Sequence, residues 1–311
     1  MAEPIALCAL MLDAALGWPD RLYRRIGHPV GLFARIINAG GRRWNCPRHS
    51  CLARRLYGLA AMLFLIGVIG GGAFAAEHMI RLALGPWAWL GLALAAWPAF
   101  AQRSLDDHFS AVVSALARND LAAARSAVAM IVGRDTAALD RAGVARAAIE
   151  SLAESFCDGV IAPLFWLLVL GLPGVWIFKA INTADSLVGH PEEPLRAYGW
   201  AAARIDDAAN LVPARISALL ICLAGGGGWK VLRRDHAKHA SPNAGWPEAA
   251  MAGALGIWLG GPVRYDGVIA AKPTIGEGTA AGLGVMIRAR NVYRRGCAIA
   301  WILTGGIACL A

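Results

Sequence analysis

The chain has 311 residues, of which 58% are apolar and only 16% charged, with a mean hydropathy of +0.51. Soluble domains carry about 25% charged residues, so this composition excludes an ordinary soluble enzyme and points to a membrane protein. The net charge of +9 fits basic loops on a cytoplasmic face; no basic stretch carries interleaved aromatics, so no nucleic-acid partner is expected.

In chain order, residues 1–16 lack the basic region that opens a signal peptide and read as a short apolar helix. Residues 17–55 are rich in Arg, from Arg21 to Arg55, and are expected on the cytoplasmic side. Cys46, His49 and Cys51 lie close together there, but no fourth ligand for a structural zinc is evident. The seven Cys are scattered and give no disulfide framework. Residues 56–76 and 82–100 approach the roughly 20 apolar residues that span a bilayer. The polar run Glu77-His78-Met79-Ile80-Arg81 between them predicts the turn of a transmembrane hairpin over 56–100.

Residues 102–158 are polar and helical, again cytoplasmic. Asn119-Asp120 breaks the helical pattern once, and Gly133-Arg134-Asp135-Thr136 breaks it again, with Asp135 or Thr136 suited to cap the next helix over 137–156. Arg146, Glu150, Glu154 and Asp158 follow at a spacing of four, which places them on one helical face. Arg146 and Glu150 could form an ordinary surface pair. Three successive carboxylates repel one another unless a cation or donor sits among them. The stripe also runs into an apolar segment, so a site is favoured over a solvated face.

That segment, 159–178, is cut by Gly171-Leu172-Pro173-Gly174, which predicts a kink or two half-helices. Broken helices at membrane depth line protected cavities, and a re-entrant hairpin would return Lys179 to the side that holds Glu150. Residues 211–228 carry Pro213 and Arg215 early and end in four glycines. A basic segment from Trp229 to His239 follows. Ser241-Pro242-Asn243 and Pro247-Glu248 then lead into a helix over 249–259. Residues 297–311 are a further apolar helix. The expected fold is an all-α polytopic membrane protein in one unit, with kinked or re-entrant apolar helices and a motif-rich core over 159–261.

Ionisable groups beside or inside a membrane cost several kcal/mol unless paired, hydrated or bound to an ion. Asn182 with Asp185, and Asp206-Asp207 with Asn210, set acids and amides three or four residues apart on helical faces. Such hard oxygen donors suit Mg²⁺ carrying a phosphate-bearing substrate. Arg134, Lys179, Arg204 and Arg215 can offset phosphate charge. No G-x-x-x-x-G-K-[S/T] sequence occurs, so any ATP binds without a P-loop. No nucleophilic triad is evident, and His28, His190, His236 and His239 are candidate acid–base groups. The residues by themselves predict a Mg²⁺-dependent membrane enzyme acting on phosphates.

Gly133-Arg134-Asp135-Thr136, Glu150 to Pro163, Lys179 to Gly189, Arg204 to Arg215 and Ser241 to Gly261 together resemble the CobD/CbiB family of cobalamin biosynthesis, over nearly the whole chain from Leu12-Asp13 to about Gly284. The resemblance implies an amide synthase of the bacterial inner membrane, multi-pass, with its site facing the cytoplasm. It would use ATP and Mg²⁺ to join adenosylcobyric acid to (R)-1-amino-2-propanol or its O-phosphate, with the lipid bilayer and other corrinoid-pathway enzymes as partners. Carried onto this chain, it makes Glu150, Glu154, Asp158, Lys179 and Asp185 candidate catalytic groups. Arg134, Asp135, Asn182, Arg204, Asn210, Arg215, Ser241, Asn243 and Glu248 become candidate substrate contacts, with Asp206 and Asp207 on the metal.

The chain departs from the family in three places. Gly17-Trp18-Pro19 replaces Gly-Asp-Pro, Glu154-Ser155-Phe156-Cys157-Asp158 replaces Glu-Asn-Thr-Ser-Asp, and Ala184-Asp185-Ser186-Leu187 replaces Leu-Asp-Ser-Met. Two rival classes are a non-catalytic sensor resembling the AmpE proteins and a Mg²⁺-dependent prenyltransferase of the UbiA type. The sensor would have little reason to keep the acidic sets together. The prenyltransferase needs more long spans than the chain offers.

Overall fold

The computed structural model describes residues 4–190, 192–265 and 268–310. The chain divides into two compact units: residues 1–101, 162–210 and 307–311 form unit 1, and residues 102–161 and 211–306 form unit 2. Two helical stretches, Cys51–Ala117 and Arg141–Val188, are long and apolar enough to cross a membrane. A bent pair, Trp200–Ala209 with Leu211–Gly225, makes a third if counted as one. With helices dominating and only four three-residue strands among the described residues, this is an all-α polytopic membrane protein.

Unit 1 contains α1 (Ile5–Leu16), α2 (Asp20–Ile26), α3 (Pro29–Trp44), α4 (Cys51–Leu84), α5 (Ala88–Ala96), α9 (Ala162–Val188) and α10 (Trp200–Ala209). Unit 2 contains α6 (Gln102–Ala117), α7 (Leu121–Ala129), α8 (Arg141–Phe156), α11 (Leu211–Gly225), α12 (Trp229–Asp235), α13 (Gly245–Leu255) and, up to Gly306, α14 (Leu283–Leu310). It also holds the strands β1 (Trp258–Gly260), β2 (Val263–Tyr265), β3 (Val268–Ala270) and β4 (Thr274–Gly276).

In unit 1, α4 runs unbroken for 34 residues, about 50 Å at 1.5 Å per residue. The expected turn at 77–81 is therefore displaced: Glu77 to Arg81 lie inside the helix, and the chain reverses at a 3₁₀ turn, Gly85–Trp87, before α5 packs back on α4. The polar run does not break the helix because its charges are satisfied on the helix surface. Arg81 pairs with Glu77 one turn earlier, and Glu77 accepts the Leu172 backbone N–H at 3.0 Å. Leu56, Leu63, Phe64, Val68 and Phe74 of α4 remain exposed, as a helix bathed in lipid requires.

The break in α9 falls where the sequence places it. Gly171 has φ +65° inside the otherwise helical segment, a conformation that costs residues with a Cβ about 1–2 kcal/mol. In a straight helix, positions eight apart are separated by about 12 Å. Here a Cβ on Gly174 would lie 2.3 Å from the Trp166 carbonyl oxygen, so the chain turns back sharply at Gly171. The second half of α9 packs with α3, α4 and α10 around Phe33, Ile37, Met62, Ile181 and Tyr198.

In unit 2, α13 packs on α8, α11 and α12. Asn119, at φ +61°, and Asp120, which accepts the Ala123 N–H, separate α6 from α7 as expected. The cap of α8 is Asp140, which accepts the Gly143 N–H, so neither Asp135 nor Thr136 starts that helix. The helix predicted over 249–259 is shifted: α13 begins at Gly245, with Pro247 and Glu248 in its first turn, and stops at Leu255 because Gly256 adopts the left-handed conformation. Residues beyond it enter β1, which pairs antiparallel with β4 in the register Leu259↔Ile275, while β2 pairs with β3. The apolar C-terminal helix is longer than 297–311, since α14 starts at Leu283.

Candidate functional site

The charged residues singled out in the sequence gather at two places, one in each unit. In unit 1, Asp206 of α10 accepts hydrogen bonds from both neighbouring amides, Asn182 Nδ2 at 3.4 Å and Asn210 Nδ2 at 3.0 Å. Asn182 comes from α9 and Asn210 from the end of α10, so the amides fix the carboxylate from two sides. Asp207 pairs with Arg204 one turn away at 3.2 Å, and the Arg204 side chain is 64% exposed. Asp185, on the last turn of α9, stands within electrostatic reach of Asp206, Asp207 and His190. Gly189 closes that turn so tightly that a Cβ there would lie 1.9 Å from an Asp185 carboxylate oxygen. The acids and amides predicted to act together are therefore neighbours. Lys179 lies one to two turns earlier on α9, where its charge acts on His28. Trp18, at the position where the family has Asp, donates its indole N–H to the Gly27 carbonyl and meets the His28 ring edge-on.

In unit 2, the stripe on α8 faces protein, not solvent. Arg146 does not pair with Glu150. Its guanidinium stacks 4.6 Å above the Trp258 ring, and its Nε has no hydrogen-bond partner. Glu150 is 3% exposed; it pairs with Arg134, from the loop before α8, and accepts the Gly260 backbone N–H at 2.6 Å. Gly260 reaches it because its φ is +75° and because a Cβ there would lie 2.2 Å from the Pro273 carbonyl oxygen. One turn on, a Glu154 carboxylate oxygen lies within 4.8 Å of a His239 ring nitrogen and a Glu248 oxygen. Asp158 falls in a π-helical turn, Cys157–Ile161. That turn alters the register of the face, and Asp158 is neither in this group nor in the wall of the adjoining cavity.

Glu248 is 4% exposed. Burial, reinforced by the charges of Glu154 and Glu150, pushes its carboxyl well above the usual range. Burial pushes His239 the other way, toward the neutral ring. His239 Nε2 lies 3.6 Å from Glu248 Oε1, while its Nδ1 accepts the Ser241 backbone N–H at 2.9 Å. A neutral ring with an accepting Nδ1 carries its hydrogen on Nε2. The group has the composition of a metal site, but metal-bound His offers a lone pair and donates from its other nitrogen, the reverse of this arrangement.

Ser241, Asn243 and Arg215 build the loop that presents His239. The Ser241 hydroxyl accepts from the backbone N–H groups of Asn243 and Ala244 at 3.2 Å. Asn243 accepts from Arg215 at 3.0 Å, and Arg215 stacks 4.6 Å above Trp246. These residues position the site. Asp135 follows Arg134 in the loop that reaches Glu150. Sequence reasoning missed Lys272 and Gly260, which line the cavity with Glu150, His239 and Glu248. Neither belongs to a residue pattern, and only the β1–β4 pairing brings them there.

The family model for CobD/Cbib proteins matches residues 6–293. A protein named cobalamin biosynthesis protein CobD from Rhodobacter capsulatus is 46% identical over 313 residues, covering 97% of this chain and 96% of its own. Relatives of the same name from a Sinorhizobium species and from Geobacter metallireducens are 44% and 41% identical, covering 88% and 89% of this chain and 88% and 87% of theirs. No solved structure matches it significantly. With the acid–amide cluster and the α8 carboxylates in place, and with this match along nearly its whole length, the chain belongs to the CobD/CbiB family.

Proposed function

We propose that the protein acts in cobalamin biosynthesis as an ATP-dependent amide ligase of the inner membrane, joining adenosylcobyric acid to (R)-1-amino-2-propanol or its O-phosphate. The observation that carries this reading is the 46% identity, over 97% of the chain, to a protein named for cobalamin biosynthesis. A carboxylate is a poor acyl donor, so phosphoryl transfer from ATP to the corrinoid carboxylate gives an acyl phosphate. The amine attacks its carbonyl carbon, the C–N bond forms, and inorganic phosphate leaves with the C–O electrons. Positioning and charge neutralisation supply most of the acceleration.

Asp206, Asp207 and Asp185 fit a Mg²⁺ ion: they are hard oxygen donors, and Asn182 and Asn210 hold Asp206 in a fixed orientation. When bound, the ion would neutralise phosphate oxygens. Arg204, exposed and paired with Asp207, is placed to exchange that contact for a phosphate. Glu150 organises its surroundings, since its two oxygens serve Arg134 and Gly260.

The test is formation of an amide-linked corrinoid by the detergent-purified protein with ATP, Mg²⁺, adenosylcobyric acid and the amine, together with rescue of a strain blocked at cobyric acid. A preparation that binds corrinoid yet forms no amide refutes the ligase. The cytoplasmic placement is tested by a Cys introduced beside Gly189. Labelling only after the inner membrane is opened supports it, and labelling from outside in intact spheroplasts refutes it.

A further inference from the structure

Glu150, Glu248, His239, Lys272 and the Gly260 backbone surround a narrow cavity of about 80 Å³ in unit 2, completed by Ala240, Ala271, Pro273 and Ile275. A cavity of about 150 Å³ holds a benzene ring, so this one takes a molecule of roughly three to five heavy atoms. Its wall combines two carboxylates with apolar groups. A third carboxylate, Glu154, lies behind the wall against His239 and Glu248. Glu150 is already held by Arg134 and the Gly260 N–H. Glu154 and Glu248 instead face one another with a His that burial keeps neutral. Buried acids in that position share a proton or hold a cation. The His239 hydrogen on Nε2 opposes a metal ion, as argued above. An alkylammonium has no such conflict: it brings up to three donors, accepts nothing, and carries a carbon chain for the apolar wall.

We propose that this cavity binds a small primary alkylammonium, with its N–H groups donating to Glu248, whose carboxylate Glu154 backs from outside the wall, its carbon chain against Pro273 and Ile275, and Lys272 beside any anionic group it carries. This rests on the ligase reading, which needs a short amino alcohol or its phosphate, and it assigns the five-heavy-atom amino-alcohol part of that substrate to the cavity of unit 2, leaving any phosphate outside it.

Calorimetry on the full-length protein in detergent tests it, with 1-amino-2-propanol as probe and 1,2-propanediol, of the same heavy-atom count, as its uncharged counterpart. The wild type is expected to bind the amine and not the diol. Glu248→Gln is expected to weaken amine binding at least tenfold, and Ala240→Leu, which fills the cavity from its exposed side, to abolish it. Lys272→Ala is expected to weaken the amine phosphate more than the free amine. Melting curves on the same samples establish that each variant is folded. Equal amine binding by wild type, Glu248→Gln and Ala240→Leu overturns the proposal. So does tight Mn²⁺ binding, seen by electron paramagnetic resonance, that Glu248→Gln removes while the amine does not compete. Amine binding as described without corrinoid amide formation refutes the ligase and leaves the subsite standing. Amide formation with an unchanged KM for the amine in both variants refutes the subsite and leaves the ligase standing.

Discussion

Replacing Glu150 tests the architecture of unit 2 most directly. The residue is 3% exposed and connects three separate pieces of chain: α8, the loop carrying Arg134, and the end of β1 at Gly260. In Glu150→Ala, Arg134, whose side chain is 11% exposed, loses this counter-charge and the Gly260 N–H loses its acceptor. Breaking a buried pair by removing one partner costs about 3–5 kcal/mol, a range that already includes an orphaned donor worth about 1–3 kcal/mol. Glu150→Gln keeps the volume and an acceptor for Gly260 and removes only the charge, so about half that loss is expected. At roughly 2–4 °C per kcal/mol for a unit of this size, Ala lowers the melting temperature by about 6–20 °C and Gln by about half as much. The apolar double variant Arg134→Met with Glu150→Leu should recover much of the loss, because neither charge then needs desolvation. Tryptophan fluorescence during heating in detergent reads all three. A Glu150→Ala protein that melts within about 2 °C of wild type would refute the buried-pair reasoning.

Three further outcomes follow from the same geometry. Asp207→Asn should lower turnover by about 100-fold, near 3 kcal/mol of transition-state stabilisation. Its stability should hardly change, because an exposed pair with Arg204 is worth under about 1 kcal/mol; a folded, active protein with unchanged Mg²⁺ dependence would clear Asp207 of a metal role. Glu248 has a folded-state pKa raised above its unfolded value of 4.5, so the folded state holds a proton that the unfolded state has lost, and stability falls as pH rises above about 4.5. Glu248→Gln should therefore gain melting temperature relative to wild type as pH increases, and parallel pH curves for the two proteins would contradict this. Gly171→Ala should lose about 1–3 kcal/mol, since φ +65° is strained for alanine and its Cβ would sit 2.9 Å from Glu77 Oε2. An unchanged melting temperature would show that the turn in α9 relaxes freely.

Composition and periodicity determined that this is a helical membrane protein, where α9 breaks, and which acids on α9 and α10 sit together, because those relations are local. Glycine and proline act on their own stretch of chain, and residues three or four apart on a helix are neighbours in any fold. The turn of the first hairpin was misplaced for a reason outside the local pattern: Glu77 is satisfied by the Leu172 N–H, nearly a hundred positions away. The α8 stripe was legible as a face but not in its partners. Arg146 turned to Trp258, and Glu150 to Arg134 and Gly260. The cavity with His239 and Lys272 was decided only by tertiary structure, because strand pairing between β1 and β4 and the loop held by Arg215 and Asn243 bring together residues that share no spacing. Burial then does what sequence cannot state, raising one carboxyl and keeping one imidazole neutral by withdrawing both from water.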